Sequence, residues 1–348
     1  MIDLNVGING YGVYIPKYRI KAEEYLKSWG SFAARGVEEK TVPAYDEDAI
    51  TMAVEASSNA LRLAGLAPDK LEALYFASTS APYGEKLVAS TIGSALGAST
   101  NISTCDCGFS TKAGTSAVLT CYDFVASGRG KSGLAVASDS PVASPDDPME
   151  HGFGAGACAL TIGSGETVAT IDATHSVIGE TLGERFRRFG NRYTKDLAIR
   201  PYTELVFNSI LRQSITGLMN KLNMKAEDFN YLVVQQFDGR GPFDIGKRLG
   251  FKDTQVSPGL IANKVGDAGA SSPLLGLAAV LDKAKPAERI LVASYGSGAG
   301  SDAFSIIVEK GIENRDRGVA SVERNLEAKQ YVDYVTYLKT RKMLAMDL

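Results

Sequence analysis

Histidine is nearly absent from this sequence: only His151 and His175 occur in 348 residues. Cysteine is scarce too, with Cys105, Cys107, Cys121 and Cys158 spread along a long chain. A secreted disulfide framework needs denser cysteines in a shorter chain. Cys105 and Cys107 form one C-x-C pair with no second pair, and a structural zinc site needs two more ligands at suitable spacing. No metal is therefore expected here. No basic block occurs and the net charge is only -3, so nucleic acid is not an expected partner. No apolar run approaches bilayer-spanning length. The opening "MIDLNVGINGYGVYIP" lacks the basic start and cleavage site of a signal peptide. These absences lead to the expectation of a cytoplasmic protein with no membrane partner.

What the chain does contain is a repeat. "ALRLAGLAPDKLEALYFASTS" (60–80) and "GLMNKLNMKAEDFNYLVVQQFDG" (217–239) share one plan: an amphipathic helix, a short turn with an acidic residue, then an apolar strand. The echo continues in order. "GSALG" (93–97) matches "GKRLG" (246–250), and "KAGTSAVLTCYDFVASG" (112–128) matches "DAGASSPLLGLAAVLDKA" (267–284). "GLAVASDS" (133–140) then matches "ILVASYGSG" (290–298). The offset stays near about 155 residues, a length typical of one domain.

Two segments in the repeat, "KAGTSAVLTCYDFVA" and "SSPLLGLAAVLDKA", are apolar nearly all round, and such helices must be covered on every side. Apolar strands alternating with helices imply α/β sheets covered on both faces. The expected architecture is an internally duplicated α/β fold in which two mixed sheets sandwich buried helices, five layers in all (αβαβα). The expected units are an N-terminal half over 1–165, a C-terminal half over 166–313 and a tail over 314–348. In the tail, Tyr331, Tyr334 and Tyr337 recur at helical spacing. One reading is a helix docked on its own body; the other is a surface for another subunit, since tyrosine is enriched at interfaces.

The local phrases "GINGYGVYIPKYRI", "YDEDAITMAVEAS", "DKLEALYFASTSAPY" and "LIANKVGDAGASSPLLGLAAVLDKAKPAERILVASYGSGAGSDAF", with this duplicated plan, resemble the thiolase superfamily. The similarity is to its archaeal and bacterial 3-hydroxy-3-methylglutaryl-CoA synthase branch and covers essentially the whole chain. The resemblance implies a catalytic cysteine in a phrase like "FACKAGT", where this chain has "FSTKAGT" and Thr111. It implies a histidine in "FHQ", where "VQQ" has Gln235. It implies an acidic residue in "SESHPY", where "STSAPY" has Thr79, and an asparagine in "GNTYSG", where "GDAGAS" has Asp267.

Those replacements bear on the chemistry. A thiol near pKa 8.5 is usefully ionised at a helix N-terminus, whereas a threonine hydroxyl needs an adjacent base. Gln235 takes up no proton at neutral pH. Asp267 is ionisable, but a carboxylate there is read as paired or as a helix cap. The fallback nucleophile is Cys107, whose other reading is a small buried residue in a tight loop. Cys121 and Cys158 read as core. His151 reads as a solvated loop residue and His175 as an ordinary surface residue. The loop "YGSGAGSD" lacks a phosphate loop's Lys-Ser/Thr ending; the resemblance makes Gly296, Gly298 and Gly300 pocket-lining. "GINGYG" is not a dinucleotide fingerprint.

The expectation that follows is a non-catalytic subunit of a hetero-oligomeric acyltransferase, similar to the synthase-like component of the diacetylphloroglucinol acyltransferase type. Its expected partners are a cysteine-bearing thiolase-like subunit, a small OB-fold zinc-ribbon subunit that would carry any zinc, and a second copy of the chain. No cofactor is expected in this chain, with a CoA thioester as the ligand the resemblance implies. The alternatives are an active synthase-like acyltransferase with a rearranged site using Cys107, Thr111 or Asp267, and an acyl-CoA-binding protein without turnover.

Overall fold

The computed structural model describes residues 6–180, 183–197, 207–298, 300–317 and 321–344. Its N-terminal half contains strands β1 (Val6–Tyr14), β2 (Tyr18–Lys21), β3 (Glu39–Val42), β4 (Ala73–Ser78), β5 (Ser103–Gly108), β6 (Ser132–Asp139) and β7 (Gly156–Ser164). Helices α1 (Ala22–Trp29), α2 (Ala49–Ala64), α3 (Val88–Leu96), α4 (Ala113–Ala126) and α5 (Pro148–Gly152) lie between them. The second half contains β8 (Ala169–Val177), β9 (Tyr231–Val234), β10 (Arg289–Ala293) and β11 (Ser301–Val308). Its helices are α6 (Asn208–Leu222), α7 (Gly241–Arg248), α8 (Asp253–Val256), α9 (Ala262–Val265) and α10 (Ser272–Leu281). The tail adds α11 (Val322–Glu327), β12 (Gln330–Tyr331) and α12 (Tyr334–Thr340).

The strands β5-β4-β6-β7-β1-β8-β11-β10-β9 form one nine-stranded sheet among the described residues. Outward from its middle, β1, β7, β6 and β4 are joined by two antiparallel steps and one parallel step; β8, β11, β10 and β9 repeat that sequence. The two expected sheets thus meet edge to edge through a short pairing of Gly7 and Ile8 with Thr170 and Ala169. The period of two in the strands sorts their side chains into layers. On β4, Leu74 and Phe76 join an outer core with α2 and α3, whereas Tyr75 and Ala77 face inward. On β10, Leu291 and Ala293 face a second outer core with α6, whereas Ile290 and Val292 face inward. Both inner faces pack on the same two helices, α4 and α10.

Helix α10 is buried at all ten positions, which explains its lack of a polar face: each buried leucine contributes roughly 1.5–3 kcal/mol. The helix layer is tight. A Cβ on Gly114 of α4 would lie 2.1 Å from the Ala270 carbonyl oxygen, just before α10. Glycines of "GINGYG" serve a similar close approach, since Cβ atoms on Gly10 and Gly12 would strike the backbone of α2 at 2.6 and 2.3 Å. Helix α2 itself starts at a capping box, with Asp48 accepting from Ile50 N and Thr51 N, and ends at Gly65 with φ 66°.

In the tail, Tyr331 lies in β12, paired with β2, and is half-exposed. It does not share a helical face with Tyr334 and Tyr337, which are buried with their rings 5.1 and 6.3 Å from Tyr25. No helix among the described residues is long and apolar enough to cross a membrane.

Candidate active site

The site lies where both halves' strands end beside the starts of the buried helices. Strand β5 leaves through Phe109, held at φ 70° and 93% exposed, and the chain then turns into α4. Thr111 in that turn is buried, and its Oγ1 donates to the Tyr295 carbonyl at 2.6 Å. Among the described residues, no general base is hydrogen-bonded to this hydroxyl. The next residue, Lys112, pairs with the buried Asp302 at 2.8 Å. Asp302 also accepts from Thr115, Ser116 and Ser176 at 3.1, 3.2 and 2.7 Å, fixing the start of α4 to the β8 and β11 strands.

Thr79 follows β4, and its amide and hydroxyl both donate to Asp139, at 2.8 and 3.0 Å. Asp139 is fully buried at the end of β6 and also accepts from Ser78 Oγ, Ser80 N, Ser80 Oγ and Ala270 N. One carboxylate therefore ties the end of β4 to the approach of α10. Gln235 follows β9, is buried, and donates from Nε2 to the Gly269 carbonyl at 2.9 Å. Asp267 is ion-paired with Arg185 and accepts from Gly269 N at 2.8 Å. Burial raises its pKa above the usual carboxylate value, opposed by Arg185.

Three cavities meet here. One of about 330 Å³ is lined by Thr79, Phe109, Thr111, Glu184, Arg185 and Gly298. A second of about 330 Å³ is lined by Phe153, Glu184, Arg185, Phe237, Asp267 and Tyr295. A third, of about 720 Å³, is lined by Phe76, Thr79, Cys107, Phe109, Arg187 and Phe189. Thr79 and Thr111 thus share a cavity, Asp267 lines the adjacent one and Cys107 the third. Gln235 is not among the residues lining any of the three. Of the predicted glycines, Gly298 lines the Thr111 cavity. Gly296 and Gly300 bond each other across the loop, and Gly296 abuts Ser110 and Lys112.

Cys107 is half-buried, and its thiol is pushed up to about 11 by burial and by the neighbouring Cys105 and Asp106. It is protonated near neutral pH. Cys121 and Cys158 are fully buried core residues. His151 is not a solvated loop residue. It is 2% exposed, stacks on Phe32 and accepts from Ala33 N at 3.0 Å. His175 is likewise not an ordinary surface residue: it is half-buried on β8, with its ring filling the space left by Gly217 of α6. Among the described residues, no three His, Cys, Asp or Glu side chains gather to hold a metal.

The residue sequence reasoning missed is Glu184. Its buried carboxylate lines both smaller cavities and accepts from Tyr295 OH at 2.5 Å. It lies between the repeated segments, where neither the repeat nor the family phrases drew attention to it. Asp139 was missed because a strand-end aspartate in "ASDS" carries no sign of the residues it will meet.

No protein-family model matches the chain. Among curated relatives, it is 41% identical over 350 residues to the hydroxymethylglutaryl-CoA synthase of Methanopyrus kandleri, covering 97% of this chain and 98% of that one. It is 40% identical to the hydroxymethylglutaryl-CoA synthase of Archaeoglobus fulgidus, covering 97% and 99%. Among solved structures, MvaS in complex with 3-hydroxy-3-methylglutaryl coenzyme A superposes with a TM-score of 0.86 at 20% identity, covering 99% and 93%. The 3-oxoacyl-[acyl-carrier-protein] synthase III of Aquifex aeolicus has a TM-score of 0.77 at 21% identity, covering 87% and 99%. These two establish the thiolase-like fold. The relatives overturn the expectation of a non-catalytic subunit, because the chains matched from end to end are named as synthases, and they point to an enzyme with its own activity. The earlier inference failed because it counted only the family's positions. A cavity can be served by groups other than those at the family's positions, and Glu184 lines two of the cavities here. The chain belongs to the hydroxymethylglutaryl-CoA synthase family of the thiolase superfamily.

Proposed function

We propose that this chain is a CoA-thioester-dependent synthase that forms a carbon–carbon bond through a rearranged site. The observation that carries the reading is the 41% identity, over 97% of the chain, to a hydroxymethylglutaryl-CoA synthase. The cavity beside Thr111 receives the acyl group. Helix α4 starts just after Thr111 and has no side-chain cap, so its dipole directs partial positive charge toward that wall. Thr111 donates its proton to the Tyr295 carbonyl and has no base bonded to it among the described residues, so it positions rather than attacks.

Glu184 is the proton acceptor in this reading. It takes a proton from the carbon next to one thioester carbonyl. The electron pair left behind bonds to the ketone carbon of a second thioester, whose oxygen then takes a proton. With acetyl-CoA and acetoacetyl-CoA this joins a hydroxymethylglutaryl skeleton, and water releases one CoA. The test incubates the purified full chain with both thioesters, measuring free CoA and product mass. Product is expected, with no acyl adduct on Thr111 or any cysteine after acid quench. Glu184→Gln is expected to lower kcat by roughly 10²-fold or more, with little change in KM. Absence of any condensation product sinks the reading, and an undiminished Glu184→Gln sinks the role given to Glu184.

A further inference from the structure

Helix α12 ends on a side chain that covering the body does not require. The helix is seated by its tyrosines. Tyr334 and Tyr337 are buried. The fully buried Glu150 accepts from Tyr25 OH at 2.9 Å and from Tyr334 OH at 3.5 Å, and Lys40 Nζ lies 4.7 Å from the Tyr337 ring centre. Those contacts alone would leave the end of the helix free. Arg341, which ends it, instead reaches into the body. Its Nη1 donates to Ser140 Oγ at 2.6 Å, and its Nη2 to the Ser140 and Pro141 carbonyls at 2.9 and 3.1 Å. A rigid guanidinium fork serves all three acceptors at once, which a lysine ammonium does not.

Two routes lead from Arg341 to Thr79. The first runs through the peptide it grips. Ser140 and Pro141 directly follow Asp139, whose carboxylate holds Thr79, and Ser140 N donates to Ser80 Oγ at 2.8 Å. The second runs through the Arg341 carbonyl, which accepts from Arg192 at 2.6 Å. Earlier in the same segment, Arg187 donates to the Thr79 carbonyl at 3.0 Å. Just after it, Thr194 N donates to the Val142 carbonyl at 2.8 Å. Arg187 and Arg192 line the largest of the three cavities, and Thr79 lines both that cavity and the one beside Thr111. Arg341 is not among the residues lining any of the three, so it acts on them through other residues.

We infer that Arg341 is a positioning residue for the condensation: from the tail it holds the Asp139 end of β6 and the 187–192 wall in one arrangement, with Thr79 fixed between two cavities. The inference rests on the condensation proposed above and gives the tail a part in it. Bond formation needs its partners at near-attack distance, so a small shift of a wall far from the reacting atoms lowers the rate steeply. Arg341 lies outside the cavities, so its loss acts on the rate more than on substrate binding.

The test compares full-length Arg341→Ala, Arg341→Lys and Lys339→Ala with the unaltered chain. It measures kcat and KM with acetyl-CoA and acetoacetyl-CoA, and hydrogen exchange at the Ser140 and Thr194 amides. Arg341→Ala is expected to lower kcat by roughly 10–100-fold while KM stays within about threefold, and to speed exchange at both amides by about tenfold or more. Arg341→Lys, with one nitrogen in place of the fork, is expected to lie between. Lys339→Ala removes a charge from an exposed position on the same helix and is expected to leave kcat and exchange unchanged. A tail that only stabilises the fold would lower Tm and spare the kcat of the folded enzyme; that result overturns the inference, as does an equal loss in Lys339→Ala. Should Arg341→Ala fail to fold, full kcat in Arg341→Lys overturns it. If the unaltered chain forms no product, the condensation reading falls, and exchange alone tests the hold of Arg341 on the two segments; unchanged rates in Arg341→Ala refute that hold.

Discussion

Replacing Asp139 tests whether one carboxylate holds the two halves of the site together. Its Oδ1 accepts from Ser78 Oγ, Thr79 N, Ser80 N and Ser80 Oγ, and its Oδ2 from Thr79 Oγ1 and Ala270 N. Asp139→Asn keeps a carbonyl oxygen for the Oδ1 group but sets an amide N–H against Ala270 N. The Thr79 hydroxyl can rotate and accept; the Ala270 amide cannot. One buried donor left without a partner costs about 1–3 kcal/mol, so Asp139→Asn is expected to destabilise by about 2 kcal/mol. Asp139→Ala strands the Thr79 and Ala270 amides together, whereas Ser80 N keeps Ser78 Oγ at 3.0 Å. Two such groups, with the Ser78, Thr79 and Ser80 hydroxyls losing the same acceptor, cost about 4–5 kcal/mol, at the exceptional end for one substitution. In a chain this large, roughly 2 °C of Tm accompanies each kcal/mol. Differential scanning calorimetry should therefore separate the variants, with Tm falling by about 4 °C for Asn and about 8–10 °C for Ala. Equal shifts in both, or an Asp139→Ala shift under about 2 °C, would refute the reasoning, because the hydrogen bonds would then not be setting the stability.

Gly114→Ala puts a methyl 2.1 Å from the Ala270 carbonyl oxygen; overpacking of this kind costs about 1–3 kcal/mol, read as a lower denaturation midpoint. Burial lowers the pKa of His151 below its ordinary value of 6.5. The unfolded chain then binds a proton more readily than the folded one, so this stabilising contribution is whole above pH 6.5 and is lost as pH falls toward the depressed folded value. His151→Phe should flatten that part of the stability–pH curve, and an unchanged slope between pH 5 and 7 would count against it. Because the Cys107 thiol is pushed up to about 11, its alkylation should be slow near neutral pH and rise steeply only as pH approaches that value; peptide mass mapping over a pH series measures this.

The layers of the fold were legible because they follow from local pattern. The repeat set two similar halves, the all-apolar segments at 112–126 and 271–284 required covering, and the strands' continuous apolar runs required two buried faces. The joining of both halves into one sheet was not legible, since it rests on the pairing of Gly7 and Ile8 with Thr170 and Ala169, which no periodicity marks. The tyrosine spacing of the tail suggested one helical face and misled at Tyr331, because pairing with β2 holds that residue extended.

At the site, sequence located the turn with Thr111 and the strand end with Thr79, and the structure lines one cavity with both. It could not reveal that Asp139 gathers six donors from two separate segments, that Glu184 lines two cavities, or that Arg185 faces Asp267 across a span of 82 residues. The sequence by itself determined the layers, because hydrophobic periodicity acts on neighbours along the chain. Only the tertiary structure decided which charges meet at the cavity wall, because burial and Coulomb attraction act there between groups far apart along the chain.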